Sequence, residues 1–70
     1  MLDEVIFMQT RVFRMFCERM KCSASEGNAL FEQYGIWEYI ETCYDALHLS
    51  SDEYALDDIM KILKSKGVSL

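Results

Sequence analysis

The sequence predicts an all-α protein, a compact bundle of about four short helices with no sheet. Three observations lead there. Proline is absent and the three glycines, Gly27, Gly35 and Gly67, fall between apolar stretches or at their ends. Apolar residues recur at helical spacing along nearly the whole chain. Carboxylates and cations collect at those ends of the periodic stretches where a helix dipole favours them. Seventy residues form a single small helical domain, 1–70. A chain of that size buries only about 60% of the surface its extended form exposes, so each apolar face must find a partner. A hydrophobic fraction of 51% with 27% charged residues argues against disorder.

The first helix is expected from Asp3 to Met20. At about 100° per residue, Leu2, Val5, Ile6, Val12, Phe13, Phe16 and Met20 share one face. Asp3 and Glu4 stand at its positive end, Arg19 and Lys21 at its negative end. Gln9 lies within the apolar face and needs a tyrosine hydroxyl, a backbone carbonyl or its own copy across a dimer axis. Ser23 followed by Glu26 has the form of a capping box. It opens a second helix that carries Ala29, Leu30 and Phe31 and closes on Tyr34, with Gly35 as a left-handed cap. The third helix is expected to follow at once and run to Leu47. Ile36, Trp37, Ile40, Cys43, Tyr44 and Leu47 collect on its apolar face, and Glu38, Glu41 and Asp45 lie opposite. A polar turn, Ser50, Ser51 and Asp52, leads to the last helix, with Leu56, Ile59, Met60, Ile62 and Leu63 as its buried stripe and Gly67 as its stop. The start of that helix is left open, because Tyr54 projects opposite the stripe if the helix has already begun.

A net charge of −5 disfavours DNA, RNA and anionic lipid, since neutralising phosphate needs clustered Lys and Arg that this chain does not provide. The segment Leu30 to Tyr34, Gly35 and the helix behind it imitates a helix-turn-helix. Its would-be recognition helix, however, carries Glu38, Glu41 and Asp45 and neither Lys nor Arg, so no nucleic acid is expected. No apolar run reaches the roughly 20 residues that span a bilayer, so no membrane is expected either. Cysteines are odd in number, and Met1 runs directly into an amphipathic segment without a secretory leader. The expected setting is therefore cytoplasmic, with reduced thiols.

The candidate zinc ligands are Cys17, Cys22, Cys43 and His48. Both close pairs are five apart and on a continuous helix would diverge by about 140°, so no metal is expected. A cysteine nucleophile with His48 as base lacks anything to join the two, and no phosphate loop exists, so neither a cofactor nor an enzyme is expected. Asp45 and His48, three apart, suit a local helix-surface pair. Trp37, Tyr39, Tyr44 and Tyr34 are read as packing rather than as a stacking platform.

Two surfaces remain for binding. Phe7 projects among Glu4, Arg11, Arg14 and Glu18, with Met8 and Met15 widening the apolar zone on its flank. The second surface is the acidic row Glu38, Glu41 and Asp45 with His48 beside it. Single exposed aromatics are common, and acidic faces often serve only solubility. The expected partner is another protein with a cationic surface, or the chain itself as a structural or regulatory homodimer. A DNA-binding regulator is the weaker alternative.

Leu30-Phe31-x-x-Tyr34-Gly35, Tyr39-Ile40, Tyr44-Asp45-x-Leu47-His48, Tyr54 and Asp58-Ile59 together resemble the small bacterial family known as domain of unknown function 3791. The resemblance extends over nearly the whole chain. The last helix departs from it, with Met60, Ile62 and Leu63 where an aromatic often stands. Members of that family are commonly encoded beside ADP-ribosyltransferase-like proteins, an arrangement similar to a toxin with its small neutraliser. The resemblance thus implies an antitoxin-like partner. In such a partner the acidic row would cover the cationic cleft that holds the NAD pyrophosphate, and the Phe7 patch would anchor the contact or a homodimer.

Overall fold

Helix-capping chemistry divides the described residues into five helices, one more than expected. The computed structural model describes residues 3–69, so the placement of Leu2 on the core face lies outside the described residues. The helices are α1 (Asp3–Met20), α2 (Ala24–Gln33), α3 (Ile36–Thr42), α4 (Tyr44–Leu47) and α5 (Asp52–Ser65), and no strand occurs among the described residues. α1, about 27 Å long at 1.5 Å per residue, sets the longest dimension of a body measuring 30 × 22 × 19 Å.

α1 ends in a Schellman turn. Lys21 takes a left-handed φ of 53°, Cys22 N–H donates to the Cys17 carbonyl at 3.1 Å and Lys21 N–H to Glu18 at 3.3 Å. The Ser23/Glu26 capping box then opens α2, with the Glu26 amide 3.0 Å from the Ser23 hydroxyl and the Ser23 amide 2.8 Å from the Glu26 carboxylate. That carboxylate is held below its usual pKa, first by the Ser23 amide and then by the Ser23 hydroxyl. Gly35, at φ +66°, turns the chain from α2 into α3.

The third helix does not run unbroken to Leu47. Cys43 adopts φ −99° and ψ 12°, and the chain restarts as a single turn whose Ala46 and Leu47 amides both reach the Cys43 carbonyl. Its apolar side is nevertheless as expected, with Ile36, Ile40 and Leu47 buried and Trp37, Cys43 and Tyr44 packed against them. The Ser51 hydroxyl caps α5 by accepting from Tyr54 N–H at 3.1 Å, which places Tyr54 inside the first turn and leaves it exposed. α5 closes with a second Schellman turn, in which Gly67 is at φ +91° and Val68 N–H donates to Leu63 at 3.0 Å.

α1 is the spine, touching α2, α3 and α5. Arg11 pairs with Asp52 and Arg19 with Asp57, so α5 runs in the same direction as α1. The core is Met8, Val12, Phe16, Phe31, Ile36, Ile40, Leu47, Ala55, Leu56, Ile59 and Leu63. Two expectations for α1 are corrected. Ile6, expected in the core, is 45% exposed, and Met8, expected on the outer flank, is 1% exposed. The cause is the seat of α5. At about 100° per residue Met8 and Met15 lie on the strip of α1 between Arg11 and Arg19, the strip that α5 covers. The buried face is therefore centred nearer Met8 and leaves Ile6 outside.

Candidate protein-binding surface

Phe7 stands where the sequence placed it, on the outer face of α1 and 60% exposed. Arg11, one turn later on the same face, is held by Asp52 through a forked contact, Nε to Oδ2 at 2.7 Å and Nη2 to Oδ1 at 3.2 Å. The guanidinium pKa is raised first by that hydrogen bond, with Tyr44 contributing from nearby. Arg11 therefore links the Phe7 face to the junction of α4 and α5.

At that junction Tyr44 and His48 stack, with ring centroids 4.7 Å apart and planes 8° from parallel. His48 Nδ1 lies 2.8 Å from the Tyr44 carbonyl. A carbonyl can only accept, so Nδ1 is the nitrogen that carries the proton in this contact. His48 thus closes α4 by capping its own helix, and it turns to Tyr44 where the sequence suggested a pair with Asp45. Leu49, next in the chain, is 80% exposed. Phe7 and Arg11 thus share the outer face of α1, Arg11 reaches Asp52 at the start of α5, and the Tyr44–His48 stack and Leu49 stand at the α4–α5 connection.

The remaining candidates separate. Met8 belongs to the core, and Met15 is half-buried against it, so neither extends the Phe7 patch. Glu38, Glu41 and Asp45 are all exposed, but the break at Cys43 places Asp45 on a different helix from the other two. Trp37 joins Phe13 and Phe31 in an aromatic cluster with centroids 5.0 and 4.9 Å from its ring. Its Nε1–H donates to Asn28 at 3.0 Å, and its carbonyl accepts from Gln9 at 2.8 Å, one of the three partners anticipated for that glutamine. Tyr39 donates to Asp58 at 3.3 Å, and burial, followed by that carboxylate, pushes its phenol up to about 12.

Two features were missed in the linear reading. The parallel packing of α1 and α5 brings Arg19 and Lys21 to the same end as Lys61, Lys64 and Lys66, so five of the seven basic residues share one pole. An open recess of about 400 Å³ lies there, lined by Asp57, Met60, Lys61 and Lys64 of α5 alone. Cys17 and Cys22, expected to diverge, are instead brought together by the Schellman turn, because the helix ends between them. Among the described residues, no three His, Cys, Asp or Glu side chains converge as metal ligands, and no helix is long and apolar enough to cross a membrane.

Fold and surface define the chain as a small all-helical domain with exposed aromatic and acidic faces. The pattern of the family described as "Protein of unknown function (DUF3791)" matches residues 7–66, and the chain belongs to that family. No curated protein and no solved structure matches it. Much of the motif that carries the likeness is structural in this fold. Phe31, Ile40, Leu47 and Ile59 are core, Gly35 makes the left-handed turn, and Tyr39 and Asp58 tie α3 to α5. Asp45, His48 and Tyr54 are the motif residues that reach the exposed surface.

Proposed function

We propose that this chain is a non-catalytic protein-binding module that works in the cytoplasm. Its contact surface runs from Phe7 through Arg11 to the Tyr44–His48 stack and Leu49, with Glu38, Glu41 and Asp45 as an acidic flank. The observation that carries the reading is Phe7. A phenylalanine left 60% exposed, in a chain too small to waste apolar area, sits beside an arginine already fixed by Asp52. Anchors of this kind, aromatic and held before contact, contribute most of the energy of protein interfaces. The exposed carboxylates favour a partner with a cationic cleft, and such charges act mainly on association rate and selectivity. The partner we put forward is an ADP-ribosyltransferase-like protein, whose binding of the NAD pyrophosphate favours cationic groups at its site, and the role an antitoxin-like neutraliser.

Co-purification of the full chain with an ADP-ribosyltransferase-like protein encoded beside its gene tests this. The expected result is a complex stable at micromolar concentration, with transferase activity suppressed. No association at that concentration removes the partner from consideration. A homodimer is the second reading, favoured by Ile6 and Phe7 both being exposed on α1. Sedimentation separates the two, since a stable dimer whose dissociation follows Phe7→Ala supports the second and a monomer supports the first.

A further inference from the structure

The two helices that end in Schellman turns fill the same pair of positions differently. In such a turn the third residue from the helix end and the second residue past the cap meet, and an apolar contact between them is usual. At the end of α5 those positions hold Leu63, fully buried, and Val68, packed on the core. At the end of α1 the same positions hold Cys17 and Cys22, joined through Cys22 N–H to the Cys17 carbonyl at 3.1 Å. With ordinary backbone bond lengths and trigonal angles at the carbonyl carbon and the amide nitrogen, the path from one Cα to the other through that hydrogen bond spans at most about 6.5 Å. A disulfide needs about 4.4–6.8 Å between Cα atoms. Both thiols are free and half-buried. The Cys17 thiol lies 3.8 Å from the Ser23 carbonyl, on the side where it would meet a Cβ at Gly27 at 2.6 Å. The absence of a side chain at Gly27 leaves that sulfur its room. Burial, and then the adjacent Cys22 thiol, push the Cys17 pKa up, so Cys17 is a slow nucleophile near neutral pH and a faster one in alkali.

We propose that Cys17 and Cys22 form an oxidisable dithiol that closes to an intrachain disulfide across the α1–α2 turn when the protein meets a peroxide. One thiolate attacks the peroxide and becomes a sulfenic acid as the O–O bond breaks and water leaves. The second sulfur then attacks the sulfenic sulfur and expels a second water. Two thiols and one hydrogen peroxide thus give one disulfide and two waters, the protein losing two electrons and two protons. The bond would lock the turn that sets the angle between α1 and α2.

The cleanest test uses the full chain carrying Cys43→Ser, oxidised with hydrogen peroxide, alkylated and digested with trypsin. Cleavage after Arg19 and Lys21 separates the two cysteines unless a disulfide joins their peptides. The proposal expects a cross-linked pair of peptides from monomeric protein, with the ratio of disulfide to sulfinic acid at Cys17 at least about tenfold higher in the folded chain than in guanidinium, since positioning is what the turn contributes to the second step. Cys22→Ser, added to Cys43→Ser, should abolish the cross-link and let Cys17 advance to sulfinic acid. Recovery of both cysteines separately alkylated or separately overoxidised from folded protein overturns the proposal. So does a disulfide found only between chains, or a ratio of disulfide to sulfinic acid no higher folded than unfolded.

Discussion

Gly35 sits at φ +66°, where an L side chain meets its own carbonyl, and Gly35→Ala is expected to cost about 1–2 kcal/mol in urea unfolding. Gly27 fails for a different reason. An added methyl would lie 2.6 Å from the Cys17 sulfur and 3.1 Å from Phe13, and Gly27→Ala should cost about 1–3 kcal/mol by overpacking the α1–α2 contact. A smaller loss would mean that the two helices part easily. Tyr39 offers a pH signature. Its phenol is protonated in the fold up to about 12 against an ordinary 10.0, so the native state holds a proton that the unfolded chain has released. That stabilisation is complete below pH 10 and is lost as pH rises toward 12. Thermal melts of the natural chain should decline across that window, and Tyr39→Phe should remove this part of the decline.

The helix ends follow from local chemistry, and the helix faces do not. Ser23 caps α2 and Ser51 caps α5, and replacing either with Ala should lower stability by about 1 kcal/mol, measured by chemical denaturation. The Ser23/Glu26 box, the Gly35 turn and the Gly67 stop were all legible, because each is a short-range pattern with its own hydrogen bonds. The break at Cys43 was not, since apolar periodicity runs straight through it and only the backbone turn at one residue marks it. The wheel of α1 indicated a stripe but not its centre. Which of Ile6 and Met8 is buried depends on where α5 lies, and α5 is guided there by Arg11–Asp52 and Arg19–Asp57, pairs separated by 41 and 38 residues. The meeting of Cys17 and Cys22 escaped for a related reason, because a wheel assumes a continuous helix and Lys21 ends this one. Of the candidate surface, Phe7, the carboxylates and His48 were visible as outward residues. The stack of His48 on Tyr44 was not, because a three-residue spacing to Asp45 competes with a four-residue spacing to Tyr44 and only packing decides between them.

Charge is divided unevenly over the folded chain, with the basic pole at the joint ends of α1 and α5 and carboxylates exposed on α3 and α4. Salt should therefore slow association with a cationic partner more than it speeds dissociation, and stopped-flow rates at rising ionic strength test this. The pairs Arg11–Asp52 and Arg19–Asp57 are solvent-exposed enough to contribute at most about 1 kcal/mol each. The aromatic cluster of Phe13, Phe16, Phe31 and Trp37 holds α1, α2 and α3 together, and Phe31→Ala is expected to cost about 3–5 kcal/mol, enough to unfold a domain of this size. Phe7 should behave oppositely, with stability changed by less than about 0.5 kcal/mol on truncation. The most direct test is a calorimetric titration of the ADP-ribosyltransferase-like protein with the natural chain and with Phe7→Ala, each shown folded by circular dichroism. For Phe7→Ala the expected result is an unchanged fold and affinity reduced at least about 30-fold, near 2 kcal/mol. Equal affinities, or no binding by the natural chain, would contradict it.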